Sequence, residues 1–300
     1  MPAPMDKRTL RLLSRWRSRS RALYLLGTGL ARQSSQKPGR AVSTNLSALW
    51  TVFWFILTWA MGPLAFAAVD FDGVDDYVEV ADHTSLQISS NFTIAFWFKS
   101  NSTTQSQKYL IAKNNDAGTN QWAVIYEYVN DAIEFFAAGT GFSGTDPRTN
   151  SQLTISDTNW HHVVYAYDGS TWRGYVDASE TFNVSRSFSL GALSGLNVFF
   201  GAANAVPQAI VNGLIDDVRI YNRALSVNEI ETLAKSRLKY VGISSSGLVG
   251  YWPMDDCSEG TSGDAVTFVD RSGSGNNGTG VDGANNTGLT CKGSPYLSYP

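Results

Sequence analysis

NGLIDDVRIYNRAL, residues 212–225, and VDFDGVDDYVEV, residues 69–80, are the stretches that decide the fold of this chain. Each is a short strand pattern in which small, acidic and apolar residues alternate around a Gly turn. Alternation puts Asp216, Val218 and Ile220 on one face of the later strand, and Asp217, Arg219 and Tyr221 on the other. A carboxylate in line with two β-branched residues that seek the core has to be bonded, because an unpaired buried charge is costly. Backbone donors, a cationic partner or a bound calcium ion would each satisfy it.

Outward from these two stretches, almost everything after residue 68 reads as strand. FTIAFWFKS (92–100) alternates, with Phe92, Ile94, Phe96 and Phe98 on one side and Thr93, Ala95 and Trp97 on the other. KYLIAK, QWAVIYEYV, AIEFFAAG, WHHVVYAYDG, WRGYVDAS and LNVFFGAA follow, separated by Asn, Gly, Asp and Ser turns. Many short strands with few helix signals predict an all-β chain folded as an antiparallel sandwich or jelly roll. YAYDGSTWRGYV predicts a hairpin around Asp168-Gly169, where Gly supplies a positive φ. One helix is expected, in SVNEIETLAK, with Ser226 as N-cap and Glu229 completing a capping box. Leu225, Ile230 and Leu233 would pack it back on the sheet.

With 43% hydrophobic residues, nine Trp, thirteen Tyr and fifteen Phe, a 300-residue chain has ample material for a core. Its charge is unevenly spread. Residues 1–40 hold ten of the 23 Lys and Arg against one acid, Asp6, and residues 41–68 hold no charge. The remainder carries 13 basic and 25 acidic residues, a net of −12. Such a surface disfavours nucleic acid and anionic lipid, and it suits solubility or divalent cations.

The front of the chain reads as a targeting segment. Ala48–Ala68 is an uncharged apolar run behind the basic block, ending in Gly62-Pro63 and then Ala65-Phe66-Ala67, a small-x-small cleavage pattern. A cleaved signal is expected over 1–67, with an uncleaved membrane anchor at 48–68 as the alternative. Export permits a disulfide, and Cys257 and Cys291 are the only cysteines. They are expected to pair; the alternative is two free thiols in a Gly- and Asn-rich tail.

FDGVDDYVEV, FTIAFWFKS, WHHVVYAYDGSTWRGYVD and NGLIDDVRIYNRALSVNEI, in that order, resemble the laminin-G-like, pentraxin-related concanavalin A-like jelly roll. The resemblance implies one such domain, a two-sheet antiparallel jelly-roll sandwich, over 68–240. SGLVGYWPMDD (246–256) and VDRSGSGNNGTG (269–280) resemble the opening of a second unit, the segment that usually precedes an FDG strand. Two placements stay open for residues 241–300. They begin a second, truncated unit, or they dock on the first domain and supply its missing strand.

The resemblance also implies sites. A structural calcium ion is expected between first and last strands, with Asp216, Asp72 and Asp75 as candidate ligands; the alternative ties Asp216 to backbone donors and leaves Asp75-Asp76 as turn caps. Such modules engage carbohydrate or protein ligands through rim loops or the concave sheet. Phe142, Trp172 and the polar loop 114–121, with Asn114, Asn115 and Asp116, are the candidate contacts. The adjacent His161 and His162 point to opposite faces of a strand, so they do not share one metal ion. Glycoside hydrolases on this fold carry an E-x-D-x-E strand, which is lacking here: Glu127 and Glu134 stand alone. The expected function is therefore an exported, non-catalytic binding or adhesion module for a glycan or an extracellular protein. A glycoside hydrolase on the same fold and a structural repeat of a surface protein are the alternatives.

Overall fold

The computed structural model describes residues 67–102, 107–114, 120–127, 131–137, 143–148, 151–191, 193–206, 209–235, 244–283 and 288–294. The basic block and the apolar run up to residue 66 lie outside the described residues. In chain order the strands are β1 (Ala67–Asp72), β2 (Tyr77–Val80), β3 (Phe92–Ser100), β4 (Lys108–Asn114), β5 (Asn120–Glu127) and β6 (Ala132–Ala137). They continue with β7 (Ser143–Gly144), β8 (Leu153–Thr154), β9 (His161–Tyr167), β10 (Thr171–Val176), β11 (Ser179–Ser185), β12 (Phe188–Ser189), β13 (Asn197–Phe200) and β14 (Asn212–Tyr221). Helix α1 (Val227–Lys235) precedes β15 (Leu248–Trp252), β16 (Thr267–Phe268), β17 (Gly278–Val281) and β18 (Thr290–Gly293).

Two eight-stranded antiparallel sheets form a jelly-roll sandwich. The first runs β11-β10-β9-β3-β14-β1-β18, with β15 also paired to β14; the second runs β16-β17-β2-β13-β4-β5-β6-β8. The inward faces are the ones the alternation assigns: Phe92, Ile94, Phe96 and Phe98 of β3 all lie in the central core, against Trp122, Phe135, Val198 and Phe200 of the other sheet. On the outer face of the first sheet, α1 buries Ile230 and Leu233 against Ala95, Val164, Tyr175 and Tyr221. Its capping box is formed as expected: the Ser226 amide and hydroxyl both donate to Glu229 Oε2, at 2.9 and 2.8 Å. The Asp168 carboxylate accepts the Ser170 and Thr171 amides in the β9–β10 turn, where Gly169 has φ +91°.

The last strands belong to the same two sheets. β15 lies against the second half of β14, β18 against β1, and β17 against β2. Val249, Trp252, Met254, Phe268 and Leu289 enter the same core cluster as Val69 and Phe71. The strands of residues 248–293 thus join the two sheets formed by 67–235. β1 also starts before Val69: Ala67 and Ala68 are buried and pair with Gly293 and Lys292.

β14 departs from simple alternation. β14 pairs with β1 up to Ile215 and with β15 from Val218, and its register against β3 shifts between Asp216 and Arg219. Asp217 sits in the bulge at φ +54°, a region that Asp tolerates better than most residues. The extra residue makes Ile215, Val218 and Ile220 the core-facing set, so Asp216 is not in line with Val218.

Candidate cation site

The turn between β1 and β2 gathers carboxylates. Asp72, Asp75 and Asp76 each bring an oxygen within 4.8 Å of the others. The turn is shaped by its own backbone: Asp72 Oδ1 accepts the Val74 amide at 2.7 Å, and Asp76 Oδ2 accepts the Asp72 amide at 2.8 Å. Gly73, at φ +88°, has to be Gly, since a Cβ there would also meet the Asn212 side chain at 2.9 Å. Asp76 is fully buried and Asp75 nearly so, yet Oδ1 of each accepts no hydrogen bond among the described residues. Burial, together with the charges of Asp72, Asp282 and Asp75, pushes the Asp76 carboxyl up to about 7, against the pull of the Asp72 amide.

Calcium fits this donor set. It takes six to eight oxygens, and carboxylates and carbonyls beside a Gly turn supply them. Asp72, Asp75 and Asp76 would hold it. The ion would supply charge neutralisation and a tie between neighbouring strands.

Asp216 does not belong to this group. Asp72 pairs with Asn212, which leaves Asp216 four residues along β14, roughly 13 Å away at strand rise. It is fully buried and accepts the Ser294 hydroxyl at 2.6 Å. A hydroxyl from the C-terminal segment is thus one partner of this buried carboxylate.

The candidate ligand contacts separate as well. Trp172 is fully buried, its ring 5.1–5.5 Å from Phe135, Tyr165 and Phe188. Although it follows a turn by only three residues, it is already on the inward face of β10, so it is a core residue and not a ligand contact. Asn114 is buried too, its amide donating to the Ala203 carbonyl at 3.0 Å. Phe142, Asn115 and Asp116 lie outside the described residues.

The structure brings a different set beside the cation site. β2 leaves the acidic turn with Tyr77 and Glu79 on its outer face, while Val78 and Val80 face the core. Tyr77 meets Phe199 edge-on at 5.9 Å, and Asn197 donates to Glu79 Oε1 at 2.6 Å. Across β17, Val281 pairs with Tyr77 and the exposed Thr279 with Glu79. Tyr77 and Glu79 were legible only as alternating strand residues, and Asp76 only as the neighbour of Asp75. Asp282 lies more than 200 residues from the turn and carried no local signal.

The two histidines diverge as strand geometry requires. His162 is fully buried against Trp97, ring centres 5.2 Å apart, and burial lowers its pKa to about 4. His161 bridges Asp177 at 2.8 Å and Asp157 at 2.9 Å; these bonds, Asp177 first, outweigh burial and raise it to about 8. A raised folded-state value stabilises below the ordinary His range and is lost as pH climbs through about 8. His161→Ala should therefore remove on the order of 1 kcal/mol at pH 6, Asp157 being half exposed and screened, and almost nothing at pH 9. Thermal melts at the two pH values check this; an equal loss at both would remove the ionic bridge from the account.

The two antiparallel sheets define a jelly-roll sandwich. The chain belongs to the concanavalin A-like lectin/glucanases superfamily, whose laminin-G-type model matches residues 72–231, more than half of its length. No curated protein matches it in sequence. Among solved structures it is similar to a candidate carbohydrate-binding protein of Bacteroides ovatus, at 16% identity and TM-score 0.50. That match covers 77% of this chain and 60% of the other, so the chain spans less than two thirds of that protein. Weaker likenesses are to a heptameric pentraxin of Limulus polyphemus (14% identity, 60% and 86% covered, TM-score 0.43) and to domain 4 of a Geobacillus stearothermophilus arabinanase with arabinotriose (19%, 56% and 76%, 0.45).

Proposed function

We propose that the protein is an exported, non-catalytic module that binds a glycan on the face formed by Tyr77, Glu79, Asn197 and Thr279, beside a calcium ion held by Asp72, Asp75 and Asp76. The observation that carries this reading is the continuity of the two features: Tyr77 follows Asp76 directly, and its partner Val281 precedes Asp282. An aromatic ring offers an apolar platform for a sugar face, while a carboxylate and an amide take its hydroxyls. The ion would fix the turn from which β2 starts. Export is supported by the basic block, the apolar run and the Ala65-Phe66-Ala67 pattern, together with the Cys257–Cys291 disulfide.

The test is binding to a panel of immobilised oligosaccharides with calcium present, read for both retention and product release. Saturable retention without product is expected, and Tyr77→Ala should weaken it by about tenfold, the scale of a lost aromatic contact. Release of shortened sugars would establish a glycoside hydrolase instead. Retention unchanged by Tyr77→Ala would move the ligand to another face.

A further inference from the structure

The first strand begins inside the targeting segment. The pattern Ala65-Phe66-Ala67 puts the bond to be cut between Ala67 and Ala68. Ala65 and Phe66 lie outside the described residues, but both partners of that bond are already part of β1 and fully buried. β18 lies along them, with Ala67 opposite Gly293 and Ala68 opposite Lys292. The Ala67 amide donates to Asp255 Oδ1 at 2.9 Å. From Val69 onward β1 is paired with β14 as well. The bond therefore stands inside a sheet and not in a linker ahead of one.

An extended peptide is captured by pairing its backbone with a free edge, and proteolysis concentrates where the backbone is exposed and unpaired. Here β18 holds the edge at 67–70 and β14 the edge at 69–72. Cleavage after Ala67 requires β18 to be away from β1. Once in place, β18 is firmly held. Cys291, opposite Val69, is bonded to Cys257. The Gly260 amide donates to the Cys291 carbonyl at 2.6 Å, and the Cys291 amide to the Thr261 carbonyl at 3.0 Å. Yet β18 lies more than 200 positions after the bond it covers. Because a chain is made from its N-terminus, there is an interval in which the bond is open and β18 does not yet exist.

We propose that Ala67–Ala68 is the processing site of the chain and that docking of β18 closes it, so that hydrolysis has to precede completion of the first sheet. This rests on the export reading of the same segment. A signal peptidase supplies the catalyst, and water adds across the amide. The C–N bond breaks, Ala67 leaves as a carboxylate and Ala68 keeps the new α-ammonium. The mature β1 then starts at Ala68, in the place opposite Lys292. A chain that folds first keeps the apolar run attached.

The experiment exposes the full chain, in detergent, to a purified signal peptidase in two forms. One is folded with the Cys257–Cys291 bond formed; the other is diluted from urea and reductant at the moment the enzyme is added. Intact mass and N-terminal sequencing read the product. The unfolded form should yield a chain that starts at Ala68. The folded form should be cut at least about a hundredfold more slowly, because cleavage then follows the small population in which β1 is open. The double variant Cys257→Ser/Cys291→Ser, taken through the folded protocol, should be cut about tenfold faster than the wild type, and faster still if it does not fold. Equal rates for the two wild-type forms would overturn the proposal, as would a product that starts elsewhere or a double variant as well protected as the wild type. Absence of any cut in the unfolded chain would instead remove the signal on which the export reading stands.

Discussion

A chain of residues 67–235, cut after Lys235, should fail to fold cooperatively, whereas residues 67–294 should melt in one transition. Cutting there removes β15, β16, β17 and β18, and with them the neighbours of β1 and β2 on their outer sides. It also takes Val249, Trp252, Met254, Phe268 and Leu289 out of the core. Each such side chain contributes about 1.5–3 kcal/mol on burial, so together they match the whole net stability of an ordinary domain, about 5–15 kcal/mol. The single change Trp252→Ala probes the same packing more gently. The indole is fully buried, 5.0 Å from the Phe200 ring, and donates to the Asn276 carbonyl at 2.7 Å. Its removal should cost about 3–5 kcal/mol. Circular dichroism melts check both. A 67–235 chain that melts cooperatively within a few degrees of the longer one would mean that the C-terminal strands decorate a finished domain.

That expectation marks where sequence stopped being legible. The strands around Phe92–Phe98 were readable because both faces of a central strand carry apolar residues in strict alternation, and the helix was readable because Ser226 and Glu229 form a local capping pair. The destination of 246–294 was not, because pairing between β18 and β1 joins residues more than 200 positions apart and depends on which edge is free. Asp216 misled for a different reason. Alternation presumes an unbroken strand, and the bulge at Asp217 shifts the face by one residue just where β14 changes partner from β1 to β15. Trp172 was read as a loop aromatic because the Asp168-Gly169 turn is so near, yet three residues suffice to reach the inward face of the next strand. In the acidic turn, the local pair Asp75-Asp76 was visible. The close approach to it of Gly283 and Gly288, from the C-terminal segment, was a matter of tertiary structure.

Calcium should raise the melting temperature of the protein, and Asp76→Asn should abolish the rise. Asp76 is chosen because it is fully buried, has one oxygen without a donor among the described residues, and lies among the charges of Asp72, Asp282 and Asp75. Without an ion, the folded state has to hold these carboxylates together at neutral pH against their repulsion. An ion that binds only the folded state adds RT ln(1 + [Ca²⁺]/Kd), about 2.7 kcal/mol at one hundred times Kd. Magnesium should do less, since it demands a tighter octahedral shell and gives up its water reluctantly. Asp216→Asn should lower stability in calcium and in chelator alike, because the Ser294 hydroxyl is among its partners and Asp216 lies outside the acidic turn.

The most direct measurement is the melting curve of the wild type in calcium and in chelator, alongside Asp76→Asn in both. The cation-site account predicts a higher melting temperature for the wild type in calcium and coincident curves for Asp76→Asn. Coincident wild-type curves would contradict it.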